Sequence, residues 1–118
     1  MGDILINLDI TSEPACTKDM TLESMVDIAV GRWPDQATCA TQDIDGEILF
    51  WQVPIGTVLI ARHQALTDQG MIGLLGFAAH VCATYYEEDE IAFVATDWRE
   101  SVVSHPRFRM RCAEAKAR

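Results

Sequence analysis

Residues 68–86, DQGMIGLLGFAAHVCATYY, are the most apolar run of the chain, and their reading decides how the rest packs. Leu74, Leu75, Ala78, Val81, Cys82 and Tyr85 recur at spacings of three and four, which puts them on one stripe of a helix. Thr67 suits the N-cap and Asp68 the positive helix start, whereas the acids at 87–90 make an unfavourable C-terminus. Gly70, Gly73 and Gly76 then share one side, where a second backbone could approach closely. Each costs about 1 kcal/mol against Ala in a helix interior. The apolar core of the run is shorter than the roughly 20 residues a membrane span needs. His80 reads as a hydrogen-bonded core residue.

A chain of 118 residues with 49% hydrophobic content is large enough for one domain with a core of its own. Its net charge of −9 is unevenly spread. Residues 1–98 hold 16 acidic and 3 basic side chains, a net −13, and residues 99–118 hold 2 and 6, a net +4. Such a body repels nucleic acid and anionic membranes and attracts basic surfaces. The opening MGDILINLDI has acids where a secretory leader has basic residues, so the expectation is a cytoplasmic protein. Cys16, Cys39, Cys82 and Cys112 are widely spaced, which argues against zinc and, without a leader, against disulfides; buried reduced thiols are expected.

The remaining segments predict an α+β fold, a small antiparallel sheet against two or three helices. Residues 3–10 alternate as a half-buried strand, and 11–20 form a loop. Thr21 caps a helix to Val30, with Leu22, Met25, Val26 and Ala29 as its buried stripe and Glu23 and Asp27 on its exposed side. Residues 37–53 form a hairpin turning at 43–46, because Asp45-Gly46 precedes an alternating apolar run. Its second strand is apolar on both faces and belongs in a sheet centre. Residues 57–66 read as a third strand with Val58, Leu59 and Ile60 in the core, a helix being the alternative. Residues 91–96 are strand or helix. Asp97 with Glu100 starts a helix through Val103 that Pro106 ends. In the tail, Arg107, Arg109 and Arg111 lie on one face if extended and spread if helical.

Chemistry-bearing motifs fail on inspection. Aligning Gly46 with the sixth position of a calcium loop puts Thr41 and Gln52 where Asp and Glu are required. No nucleophile elbow, phosphate loop or dinucleotide fingerprint occurs. The expectation is a non-enzyme without cofactor or metal. The tail arginines (with Arg99) pair with the protein's own acids, or with those of a second copy, in preference to nucleic acid.

Residues 32–51, RWPDQATCATQDIDGEILFW, resemble a segment recurring in small accessory proteins of tailed phages and prophages. The shared pattern is Trp33-Pro34, Ala37, Gln42-Asp43, Asp45-Gly46 and Trp51; Asp97-Trp98-Arg99 followed by Ser101-Val102-Val103 is similar in kind. The resemblance implies a phage-encoded cytoplasmic protein that inhibits a host or defence protein by binding it, in the manner of anti-CRISPR or anti-restriction proteins. A nucleic-acid mimic would meet a basic protein surface through Glu23, Asp27, Asp35, Asp43, Asp45, Glu47, Glu87, Glu88, Asp89 and Glu90. Two alternatives stand beside it. One is a self-associating assembly protein, a homodimer through Gly70, Gly73 and Gly76 or through Arg107, Arg109 and Arg111. The other is a small-molecule-binding domain using Trp33, Trp51, Tyr85 and Tyr86.

Overall fold

The computed structural model describes residues 14–66 and 69–109. The expected strand at 3–10, the caps Thr67 and Asp68, and Arg111 and Cys112 lie outside the described residues. In chain order the elements are β1 (Cys16–Lys18), α1 (Leu22–Ala29), β2 (Cys39–Gln42), β3 (Glu47–Trp51), α2 (Ile55–Gln64), α3 (Met71–Leu75), a 3₁₀ turn (Phe77–Ala79), β4 (His80–Tyr85), β5 (Glu87–Glu88), β6 (Ile91–Ala95) and β7 (Val103–Ser104). The fold is α+β. A four-stranded antiparallel sheet runs β4-β3-β2-β7, and a smaller sheet runs β1-β6-β5 with β1 and β6 parallel.

The hairpin β2–β3 is the centre of the molecule, and its alternation explains why both faces are apolar. Ala40, Ile48 and Phe50 enter one core with Leu22, Met25 and Val26 of α1, Trp33, and Val94 and Ala95 of β6. Cys39, Leu49 and Trp51 enter a second core on the opposite face, with Val58 and Ala61 of α2, Met71 and Ala79. The sheet is thus covered on both sides, as the double-faced β3 sequence requires.

The predicted five-turn helix at 68–86 does not form. Its apolar residues divide among α3, the 3₁₀ turn and β4, and Gly76, at φ +97°, breaks the helix where L side chains are strained. The physical reason lies outside the segment. Beyond Glu47, β3 is apolar and buried and needs a partner on its second edge, and β4 supplies it from Glu47↔Tyr85 to Trp51↔His80. Long-range pairing overrides the helical spacing. The stripe Leu74, Leu75, Ala78, Val81, Cys82 and Tyr85 is therefore no common face, and Gly70, Gly73 and Gly76 share no helix side on which a second copy could dock.

Residues 57–66 take the alternative reading. Pro54 precedes α2, and burial at Val58, Ala61 and Arg62 follows the helical period, leaving Leu59 and Ile60 outside the core. The hairpin and α1 with its Thr21 cap match expectation, and residues 91–96, open between strand and helix, take the strand alternative. Three local readings are corrected. The loop at 11–20 contains β1, and residues 97–102 make turns and irregular chain leading to β7, which begins at Val103. Pro106 opens a turn of helix rather than ending one, because its missing N–H costs nothing there. Asp97 does cap a helix, but the distant α1: the Leu22 N–H donates to its Oδ1 at 2.8 Å.

Buried polar side chains fasten the layers. The Gln42 amide donates to the Gly46 and Phe93 carbonyls at 3.0 and 2.9 Å, while its oxygen accepts from the Ala95 N–H at 2.9 Å. One side chain thereby ties the hairpin to β6. Trp51 Nε1 donates to Thr41 Oγ1 at 2.9 Å, and Trp33 Nε1 to Asp27 at 3.2 Å. Among the described residues no helix is long and apolar enough to cross a membrane.

Candidate functional site

The motif Gln42-Asp43-Ile44-Asp45-Gly46 builds the turn end of the β2–β3 hairpin. The Gly46 N–H closes the turn on the Asp43 carbonyl at 2.9 Å, and Asp45 Oδ1 accepts from the Glu47 N–H at 3.0 Å. Gly46 sits at φ +97°, and a Cβ there would meet Ala92 Cβ at 3.2 Å and the Phe93 carbonyl at 3.3 Å. Only glycine fits this backbone and this contact. The residues behind the phage resemblance are, in this chain, largely scaffold.

That scaffold concentrates carboxylates. Cross-strand pairing sets Tyr85 against Glu47, and the Tyr85 hydroxyl lies in the field of Asp45, Glu47, Asp43 and Glu87. Burial first, and then those four charges, push its pKa up to about 12. Asp43, held against the start of α3 where the Met71 N–H reaches its Oδ1 at 3.4 Å, is pushed up to about 6. Burial is the main cause; the Met71 N–H opposes it, and Asp45 and Glu47 add to it. Glu47 is raised by burial and then by Asp45. Among the described residues none of Asp43, Asp45, Glu47 and Glu87 forms an ion pair. Like charges so disposed repel one another, which costs stability unless a cation arrives.

The neighbouring tip carries strain. Asp89 and Glu90 join β5 to β6 as a two-residue turn with φ of +54° and +67°. Such turns strongly favour Asn-Gly, and a glutamate in left-handed backbone is an unfavourable choice. Glu88, by contrast, is occupied: Lys18 Nζ lies 2.9 Å from it and the Tyr86 hydroxyl donates to it. Those two bonds hold its carboxyl below the usual range.

The other expected contacts are engaged elsewhere. Arg109 donates to Glu23 at 2.8 Å and to both oxygens of Asp27 at 2.9 and 3.0 Å, and lies 5.5 Å from the Trp33 ring centre. The Arg109 hydrogen bond is the largest influence holding Asp27 below its ordinary value. Glu23 and Asp27 are thus a partly compensated face, and Arg109 is engaged within the chain. Arg107 donates to the Asp35 and Ala37 carbonyls, while Asp35 remains exposed beside Arg32 at 3.7 Å. Arg109 thus pairs with the protein's own acids, as expected of the tail, whereas Arg107 is held by backbone carbonyls and not by acids.

Trp33 and Trp51 are buried in different cores, so with Tyr85 and Tyr86 they line no common pocket. Cys39 is buried and its thiol is pushed up to about 11 by that burial, but Cys16 and Cys82 are exposed, against expectation. His80 is half-buried, its Nδ1 2.6 Å from the Phe77 carbonyl. Among the described residues no group of three or more His, Cys, Asp or Glu is placed to hold a metal ion.

Sequence reasoning named the acids of the hairpin end but not their grouping around Tyr85, which depends on β4 being a strand. It also missed Arg62, whose burial follows from α2 being a helix. Comparison with protein-family models, with curated proteins and with solved structures finds no match.

Proposed function

We propose that the protein is a phage-type accessory protein that binds and inhibits a host or defence protein, anti-CRISPR or anti-restriction in kind, by offering carboxylates to a surface built for nucleic acid. The observation that carries this reading is the contrast between two sets of acids. Those on α1 share the one charge of Arg109. Asp43, Asp45, Glu47 and Glu87 form no ion pair among the described residues, and Asp89 and Glu90 occupy backbone where Asn-Gly would be more stable. A chain that keeps repulsion and strain at one end supports a use for that end beyond folding. A basic partner would relieve the repulsion, and oppositely charged surfaces raise the association rate in a salt-dependent way.

Nuclease-treated bacterial lysate passed over immobilised protein tests this. The expected result is a stoichiometric partner that double-stranded DNA displaces and whose DNA binding the free protein blocks. A partner held equally well in excess DNA, or recovery of this protein only with itself, would contradict the reading and favour the assembly alternative.

A further inference from the structure

On the side of the molecule formed by the end of α2 and the turns after β6, an open cleft of about 480 Å³ is lined by Arg62, His63, Ala65, Arg99 and Glu100. In a chain of net charge −9 this is a local concentration of positive charge. Arg62 is 4% exposed, against the usual rule that a buried charge is paired. One of its Nη atoms donates to the Gln42 carbonyl at 2.9 Å, and its guanidinium lies 5.7 Å from the Trp98 ring centre. Its Nε is buried and has no hydrogen-bond partner. No ion pair to Arg62 occurs among the described residues.

A purely structural role accounts for part of this. Arg62 closes the end of β2 through the Gln42 carbonyl, and its charge suits a helix C-terminus. That role leaves the buried Nε unused and does not explain a second arginine nearby. Burial is the main influence disfavouring the charge of Arg62; the Asp43 carboxylate opposes it, and Arg99, the weaker of the two charges, adds to it. Two guanidinium groups facing one cleft, one desolvated and short of an acceptor, match the donor set that recognises an oxyanion. His63 adds a donor at the rim; Glu100 is the one acid in the lining and opposes an anion.

We propose that this cleft is a binding site for a phosphate group, carried by a small molecule and seated between Arg62 and Arg99. The volume lies in the range of small-ligand pockets and leaves room beyond the phosphate itself. Arg62 touches the hairpin that carries the acids, through the Gln42 carbonyl and the charge of Asp43, but phosphate binding and partner capture are read by separate measurements, so the failure of one reading is distinguishable from the failure of the other.

The test is titration calorimetry of the whole chain with inorganic phosphate and, separately, with AMP, at low ionic strength in buffer free of other oxyanions. Saturable binding is expected with a dissociation constant of about 1 mM or tighter. Arg99→Ala should weaken it about tenfold, and Glu100→Gln should tighten it, since removal of each charge acts through the same field. Both residues are exposed, so these variants should fold, which circular dichroism checks. AMP binding at least as well as phosphate would identify a phosphoryl group on a larger molecule as the ligand; phosphate binding better than AMP would identify the free oxyanion. No saturation by about 10 mM of either probe, or affinity unchanged by both substitutions, would overturn the proposal.

Discussion

Replacing Gln42 by alanine should be among the most damaging single substitutions in the chain. The side chain is fully buried and makes three bonds to backbone groups, one within the hairpin to the Gly46 carbonyl and two across to β6, to the Phe93 carbonyl and from the Ala95 N–H, besides a contact with Met25 Sδ at 3.4 Å. Truncation leaves those three backbone groups without that partner, and an orphaned buried polar group costs about 1–3 kcal/mol. Carbonyls tolerate the loss better than an amide N–H does. Allowing for relaxation around the hairpin turn, the expected loss is about 3–4 kcal/mol, a large fraction of a typical stability of about 5–15 kcal/mol. Urea unfolding followed by circular dichroism, read as a fall in midpoint at constant slope, measures it. Gln42→Glu sharpens the test. It keeps the acceptor for Ala95 but sets a carboxylate against two carbonyls, so it should be at least as unstable as Gln42→Ala at neutral pH. It should recover in part as the pH falls and the carboxyl regains a proton. A loss under about 1 kcal/mol for Gln42→Ala would refute the view that this side chain fastens the two sheets.

Four further outcomes follow from the same geometry. Burial pushes Asp43 up to about 6 in the folded state, against an ordinary 3.8, so the folded state binds its proton more tightly. Its contribution to stability therefore rises as pH falls through 6 and is lost above it, by on the order of 2 kcal/mol; unfolding from pH 4 to 8 should show this slope in the native chain and not in Asp43→Asn. Arg109→Ala should cost about 1 kcal/mol, because Glu23 and Asp27 are substantially exposed and water screens the pairs; thermal melts should show the difference shrinking in high salt. Gly46→Ala should destabilise by about 1–3 kcal/mol, from positive φ and the Ala92 contact, in chemical denaturation. Asp89→Asn with Glu90→Gly should stabilise the β5–β6 turn by about 0.5–1 kcal/mol while weakening capture of the partner, measured by melting and by surface binding in parallel.

Much of the fold could be read locally, and where reading failed the cause was an interaction distant in sequence. The hairpin was legible because Asp45-Gly46 and the two-faced β3 run state it within 15 residues or so. The helix α1 was legible from its stripe and its Thr21 cap. The run at 68–86 was not, because its apolar spacing fits helix and strand alike, and the unmet edge of β3 chooses between them. Asp97 and Glu100 had the look of a helix start, yet Asp97 caps α1 from 75 residues away. The candidate site followed the same division. Its acids were visible as a charge imbalance, but which of them Arg109 pairs with, and which crowd around Tyr85, depends on tertiary contacts.

The most direct test of the central claim compares the native chain with the triple variant Asp45→Asn, Glu47→Lys, Glu87→Lys in binding to the captured partner. None of the three residues forms an ion pair among the described residues, so the variant should fold at least as stably once the repulsion is gone. The account predicts that its affinity falls by about 100-fold or more, most of it in the salt-dependent part. Equal affinity and equal inhibition by the triple variant would contradict the claim that the acidic end makes the contact.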